Sequence, residues 1–293
     1  MTVCIAVISG QHIITVSDMM LSNAEASVES AVVKSRILDP AGRWFYMYST
    51  DDLTHAFEIY NRAKAALIGQ NPHGDLNLKP KKQQVVDAVR SAYHDYIRDR
   101  ADNYLKPRYD WTRQQLIDQG LAKLGPETFS RILYEVEQID AGVDLLVAGH
   151  DQANTPHIFS VKRHGEVEDH DAIQFHAIGA GAWAALGSLF ANAPEIHTTE
   201  NVAVAVYRAC EAKFISEMAR SVGSKTVMMA FSGDGRICPV PGMSAIRNLW
   251  KSRGRPRVPK KAVEMLTEVL KDFTFDLTPQ SSTGEQQTKG PAS

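Results

Sequence analysis

Strand-like and helix-like stretches in this chain come in runs rather than in strict alternation, and that order limits the fold more than any other feature. Residues 2–8 (TVCIAVI) are apolar and rich in β-branched side chains, Ser9-Gly10-Gln11 has turn chemistry, and HIITVSD (12–18) is a second strand. A small polar loop leads to AVVKSRIL (31–38) and RWFYMYS (43–49), which flank the turn signal Asp39-Pro40-Ala41-Gly42. From Asp51 the period becomes helical, with Leu53, Ala56, Phe57, Tyr60, Ala63, Lys64 and Leu67 predicting a helix over 51–68. A Pro/Gly/Asn-rich link at 70–80 precedes a second helix (QQVVDAVRSAYHDYIRDRADNYL), and 111–139 supplies one or two more, broken near Gly125-Pro126. Strand character returns at 143–151, at 157–167 with a turn over Arg163-His164-Gly165, and at 175–181. Helices are expected over 181–192 and 199–221, the latter capped by Thr198 or Thr199. A last hairpin over 225–240 turns at Ser232-Gly233-Asp234-Gly235.

Such runs argue for antiparallel sheets with segregated helices, an α+β class in which two sheets lie between helix layers. The chain has 293 residues, 44% hydrophobic and 23% charged, enough for one large core. The expected organisation is a main domain over 1–240 with a helical insertion at 70–140, an extension over 241–277 holding one helix, and a disordered Ser/Thr/Gln/Gly/Pro-rich tail at 278–293. A net charge of -2 gives no reason to expect nucleic acid or an anionic membrane as partner, and the basic stretch at 251–261 is too short to change that. With no basic N-terminal segment and no run of about 20 apolar residues, neither a signal peptide nor a membrane span is expected, and the protein reads as cytoplasmic. Cys4, Cys210 and Cys238 lack CxxC spacing and read as buried free thiols. The histidines lack HExxH-type spacing, so His150, His157, His164, His170 and His176 read as surface or strand residues and no metal site is assigned. Gly179 and Gly181 are not followed by a phosphate-loop pattern, and no cofactor is expected.

Chemistry is suggested by the first residues. Removal of Met1 would leave Thr2 with a free α-amine beside its hydroxyl, and an α-amine with a pKa near ~8 is partly neutral at cellular pH. It can then serve as base for its own hydroxyl, the threonine form of an activated nucleophile. Such a nucleophile needs a cation to favour the alkoxide and an anion to hold that cation. Fifteen residues separate Thr2 from Asp18 and fifteen more separate Asp18 from Lys34, so two hairpins in one sheet can bring the three together at one edge. Lys34 lies between Val33 and Ser35 in a run expected to be buried, where a lysine wants an acidic partner.

With these residues the chain resembles the β-type subunits of the proteasome within the Ntn-hydrolase superfamily. The likeness rests on Thr2, Asp18 closing HIITVSD, Lys34 in VVKSRILD, VDLLVAGHD (143–151), HAIGAG (176–181) running into a helix, and VMMAFSGDGRI (227–237). It covers 2–68 and 143–237. It implies a four-layer αββα sandwich, with Thr2 as nucleophile and base, Lys34 lowering the hydroxyl pKa and Asp18 holding Lys34. It also implies the backbone N–H of Tyr48 as oxyanion donor and a substrate pocket bordered by Leu21, Val32, Tyr46 and Thr50. The chain departs from the family pattern where Tyr48 replaces a glycine, Ala180 a serine, Ala219 an aspartate and Val222 a serine; Ser221 and Ser224 lie near enough to supply a hydroxyl after a small register shift.

The implied function is a threonine peptidase acting on a peptide or protein and assembling into a ring or related homo-oligomer, with any regulatory partner unidentified. Two alternatives stay open at this point. One is a transpeptidase or ligase that passes the same acyl-enzyme to an amine. The other is a non-catalytic ring or scaffold subunit, suggested by the missing hydroxyls.

Overall fold

The computed structural model describes residues 2–22, 27–29, 33–70, 79–198, 201–253 and 258–271. In chain order its strands are β1 (Cys4–Ser9), β2 (His12–Asp18), β3 (Met20–Ser22), β4 (Ser27–Glu29), β5 (Ser35–Ile37), β6 (Trp44–Thr50), β7 (Val143–His150), β8 (Pro156–Val161), β9 (Val167–Asp169), β10 (Phe175–Ile178), β11 (Thr226–Ser232) and β12 (Ile237–Pro239). The helices are α1 (Leu53–Gln70), α2 (Lys82–Tyr109), α3 (Arg113–Leu124), α4 (Pro126–Glu137), α5 (Ala182–Ala191), α6 (Ala193–Thr198), α7 (Val202–Ser216), α8 (Met243–Arg253) and α9 (Lys260–Leu270). Two antiparallel five-stranded sheets result, ordered β10-β1-β2-β11-β12 and β5-β6-β7-β8-β9, with β3-β4 as a separate ribbon.

Side-chain alternation along the strands sorts residues into three apolar layers. In β1 and β2, Ile5, Val7, Ile14 and Val16 face α5 and α7, while Cys4, Ala6, Ile8 and Ile13 face the other sheet. In β6 and β7, Trp44, Tyr46, Tyr48, Leu145 and Val147 pack against α1 and α2, while Phe45, Met47, Leu146 and Ala148 point inward. Strands buried on both faces read as continuous apolar runs. This is why TVCIAVI and VDLLVAG carry no polar alternation. The result is the αββα sandwich expected from the sequence.

Local signals behave as their chemistry dictates. The second hairpin turns where expected because the Asp39 carboxylate accepts from the backbone N–H of Arg43 at 2.8 Å and of Trp44 at 2.7 Å, with Gly42 at φ 69°. Helix α7 begins later than Thr198 or Thr199 because Asn201 caps it, its side chain accepting from Ala203 N at 2.9 Å. The short α6, which the sequence reading missed, precedes it. The segment expected to hold one helix after residue 241 holds two, α8 and α9, whose Ile246, Ala262, Leu266 and Leu270 complete the core on the α7 side. Within the segment read as an insertion, the first half of α2 packs with α1 in the main core, while its far end joins α3 and α4 in a small core of Ala101, Leu105, Leu116, Ile132 and Val136.

Of the histidines read as surface or strand residues, His150, His157 and His176 lie in strands, and His170 lies just beyond β9. His150 is fully buried with Nε2 bonded to Gln11 O at 2.9 Å, and burial pushes its pKa down to about 4. His157 stacks on Trp44 and bonds Asp171 at 2.6 Å, and His170 is buried. Cys4 and Cys210 are buried free thiols whose pKa burial pushes up to about 12; Cys238 is half-buried and also free. Among the described residues no helix is long and apolar enough to cross a membrane.

Candidate active site

Thr2, Asp18 and Lys34 converge at one end of the first sheet. Thr2 directly precedes β1, and Asp18 closes the neighbouring β2, so the hairpin turn at Gly10 folds the two beside each other. Lys34 comes from the chain just before β5 rather than from the middle of a strand, and its side chain crosses from the second sheet to the first. All three are buried, at 2%, 0% and 2% exposure, so charges taken out of water here must be satisfied inside the protein.

They are satisfied almost completely. The Lys34 ammonium has three protons and three acceptors: Thr2 Oγ1, Asp18 Oδ1 at 2.9 Å and Met20 O at 2.5 Å. Asp18 Oδ1 accepts from the Thr2 hydroxyl, from Val3 N at 3.0 Å and from Lys34. Its Oδ2 accepts from Met20 N at 3.2 Å and Gly223 N at 3.1 Å. A carboxylate held by so many donors is fixed in place, and it anchors the amine that touches the threonine oxygen.

The loop after β10 closes against the same point. Gly179 sits at φ 91°, and a Cβ there would lie 2.3 Å from Thr2 O and 2.9 Å from Ser49 Oγ. Gly181 donates its N–H to Thr2 O at 3.3 Å, and a Cβ on it would strike Val222 and Ser216. The glycines flanking Ala180 are therefore needed for the close approach of this loop to the start of β1. Around Ala219 and Val222 the contribution is a main-chain one, the Gly223 N–H to Asp18.

That N–H is braced by residues the sequence reading did not single out. Lys213 on α7 is fully buried, with burial pushing its pKa down against the opposing charges of Glu217 and Asp18. It donates to Gly223 O at 2.7 Å and Glu217 Oε1 at 2.5 Å. Arg247 of α8 reaches Glu217 Oε1 at 2.8 Å and Ser224 O at 2.7 Å. The C-terminal extension thus steadies the loop behind Asp18. The signal available was Lys213 between Ala212 and Phe214 in ACEAKFIS, much the same cue that singled out Lys34.

The remaining residues singled out from the sequence lie as follows. Tyr48 is in β6, its carbonyl accepting from Cys4 Sγ at 3.4 Å, which places its backbone beside the start of β1. Burial pushes the Tyr48 phenol up to about 12. Tyr46 is fully buried and spends its hydroxyl on Ala56 O at 3.0 Å, with its ring against Tyr48 and Tyr60. Thr50 exchanges hydrogen bonds with Asp52 at the start of α1. Leu21 lies in β3, its side chain outside what is described, and Val32 lies outside the described residues. An exposed cation not anticipated on this side, Arg36, stacks over Phe57 at 4.2 Å, and Phe57 meets the Tyr48 ring edge-on.

Comparison with known proteins bears on the later part of the chain. A family model described as Proteasome subunit matches residues 93–233, from within α2 to the end of β11, a span that starts inside the segment read as an insertion and leaves out Thr2, Asp18 and Lys34. No curated protein matches the sequence. Among solved structures, eukaryotic HslV from Trypanosoma brucei is similar at 12% identity over 78% of this chain and 99% of that one, with a TM-score of 0.48. Over residues 93–233, just under half of its length, the chain is thus similar to proteasome subunits.

Proposed function

We propose that the chain is a proteasome-like peptidase that works, after loss of Met1, through an acyl-enzyme on Thr2, in the cytoplasm and as a ring-forming homo-oligomer. The observation that carries this reading is the Thr2 hydroxyl held between the Lys34 ammonium and the Asp18 carboxylate in a buried site. The α-amine of Thr2 takes the Oγ1 proton, and Oγ1 bonds to the substrate carbonyl carbon. Lys34 stabilises the negative charge that builds on Oγ1 during proton removal, and Asp18 keeps Lys34 aimed. The charge passes to the carbonyl oxygen, for which the Tyr48 N–H is the proposed donor. Collapse breaks the amide bond, and the leaving amine collects the proton from the α-ammonium. Water then attacks the ester with the α-amine as base, and Oγ1 leaves reprotonated.

Intact and tryptic mass spectrometry after treatment with an epoxyketone or β-lactone tests the reading. The expected result is a mature chain starting at Thr2 that gains one inhibitor mass on its first peptide, and a Thr2→Ala variant that gains none. Retention of Met1, or no adduct on the wild type, sinks it. A second reading, a non-catalytic ring subunit, is favoured by one observation: the Ala180 and Val222 side chains offer no hydroxyl to the amine. An unmodified wild-type chain that still assembles supports that alternative.

A further inference from the structure

A second cluster of ligating side chains lies away from Thr2, where the two sheets come together at their edges. β9 is the outer strand of the second sheet and β10 the outer strand of the first, and the turn between them is tight. Ile173 and Gln174 donate their N–H groups to His170 O, and Gln174 is at φ 65°. This turn brings Glu168 on β9, His170 just beyond it and His176 on β10 together, with one ligand atom of each within 4.8 Å of the others. The spacing, Glu-x-His followed by a histidine six residues later, follows no helical metal motif, which is why the sequence reading passed over it.

We propose that Glu168, His170 and His176 bind a divalent transition-metal ion of the zinc type, which staples the edge strands of the two sheets together. Two imidazoles and one carboxylate are borderline-hard donors suited to such an ion, and three protein ligands leave the remaining positions to water. His170 is buried and already oriented: its Nε2 is 2.8 Å from Ser160 Oγ on β8, the outer-sphere bond that ligating histidines characteristically make through their second nitrogen. The two imidazoles stack with centroids 3.7 Å apart and planes 6° from parallel. Their lone pairs lie in the ring planes, so binding tilts the rings towards a common ion. The group displaced is Lys162, which ion-pairs with Glu168 at 2.6 Å. Because His176 pairs with Ala6 of β1 and Glu168 with Ser160 of β8, the ion would join strands that no backbone ladder connects.

The test uses the tag-free full-length chain, treated with chelator and titrated with Zn2+ by calorimetry and with Co2+ by visible absorption. Stoichiometric binding is expected, with Co2+ ligand-field bands of a low-coordinate site. His170→Asn and His176→Asn should each weaken binding by more than the ~10- to 100-fold typical of losing an outer-sphere partner, and Ser160→Ala should fall within that range. Lys162→Met should tighten binding by freeing Glu168, a gain that no folding defect can mimic. At 100 times the dissociation constant, Zn2+ should favour the native state by about 100-fold in wild-type protein and leave His176→Asn unmoved. No stoichiometric binding by the wild type, undiminished binding in both histidine variants, or weaker binding in Lys162→Met overturns the proposal.

Discussion

The Thr2 end of the first sheet and the α2–α4 insertion both carry many charges, yet they use them in opposite ways. Asp18 and Lys34 are buried, and nearly every proton and lone pair they own is matched, several by backbone N–H groups that cannot rotate away. In the insertion, pairs such as Arg90–Asp87, Arg98–Asp95 and Arg131–Glu135 sit three or four residues apart on exposed helix faces. The difference teaches that the number of ion pairs says little; desolvation decides which ones matter. A buried pair is costly to assemble and costlier to break, whereas a solvated one contributes little either way.

The largest expected effect follows from removing one partner of the buried pair. Asp18→Ala leaves the Lys34 charge without its carboxylate and strips Val3, Met20 and Gly223 of their acceptor, so unfolding free energy should fall by about 3–5 kcal/mol. Urea unfolding measures this; a loss under about 1 kcal/mol would mean the pair is no more desolvated than a surface one. Gly179→Ala comes next, since it forces a Cβ against Thr2 O at positive φ, with a cost on the order of 3 kcal/mol. Inhibitor labelling of Thr2 should fall in the same variant, because the displaced atom belongs to the residue proposed as nucleophile.

A third expectation concerns protons rather than deletions. His150 titrates at about 4 when folded, because burial and the neighbouring Arg43, His12 and His157 all disfavour its charge. Its unfolded value is near ~6.5, so the unfolded chain binds the extra proton first as pH falls. The stability that His150 contributes is therefore complete above about pH 6.5 and is lost progressively down to about pH 4, by ~2–3 kcal/mol. Urea midpoints across that window should fall less steeply in His150→Gln than in wild type. Equal slopes would show that other groups control acid unfolding.

How much of this was legible in the sequence follows from which interactions are local. Alternation and turn chemistry are local, so the hairpins, the order of strand and helix runs and the layer arrangement could be read directly. Thr2 and Asp18 were legible because a hairpin converts their spacing into proximity, whereas Lys34, legible as a buried lysine in need of an acid, reaches them from the other sheet and not from a second hairpin in the same one. The β3-β4 ribbon, α6 and the second helix after residue 241 were not, since their boundaries depend on packing against distant parts of the chain. Lys213 and Glu217 have helical i,i+4 spacing, but Gly223 and Arg247 reach them from the loop after α7 and from α8, and no spacing rule links those. The edge cluster was hidden for the same reason: Glu168 and His170 meet His176 only because two different sheets end side by side.

The smallest expected effect completes the contrast. Arg131 and Glu135 are four residues apart on α4, bonded at 3.0 Å, with the arginine 58% and the glutamate 34% exposed. Glu135 also accepts from the Tyr104 hydroxyl at 2.7 Å, and Arg131 also bonds Tyr109. Arg131→Ala gives up a screened pair with Glu135 and a hydrogen bond to Tyr109 on an exposed helix face, and should leave the urea midpoint almost unmoved, with less effect still in molar salt. The measurement is a urea midpoint at low and high ionic strength. A midpoint shift approaching that of Asp18→Ala would mean that the small core around Ile132 depends on surface charge, and α2–α4 would then share the energetics of the Thr2 site.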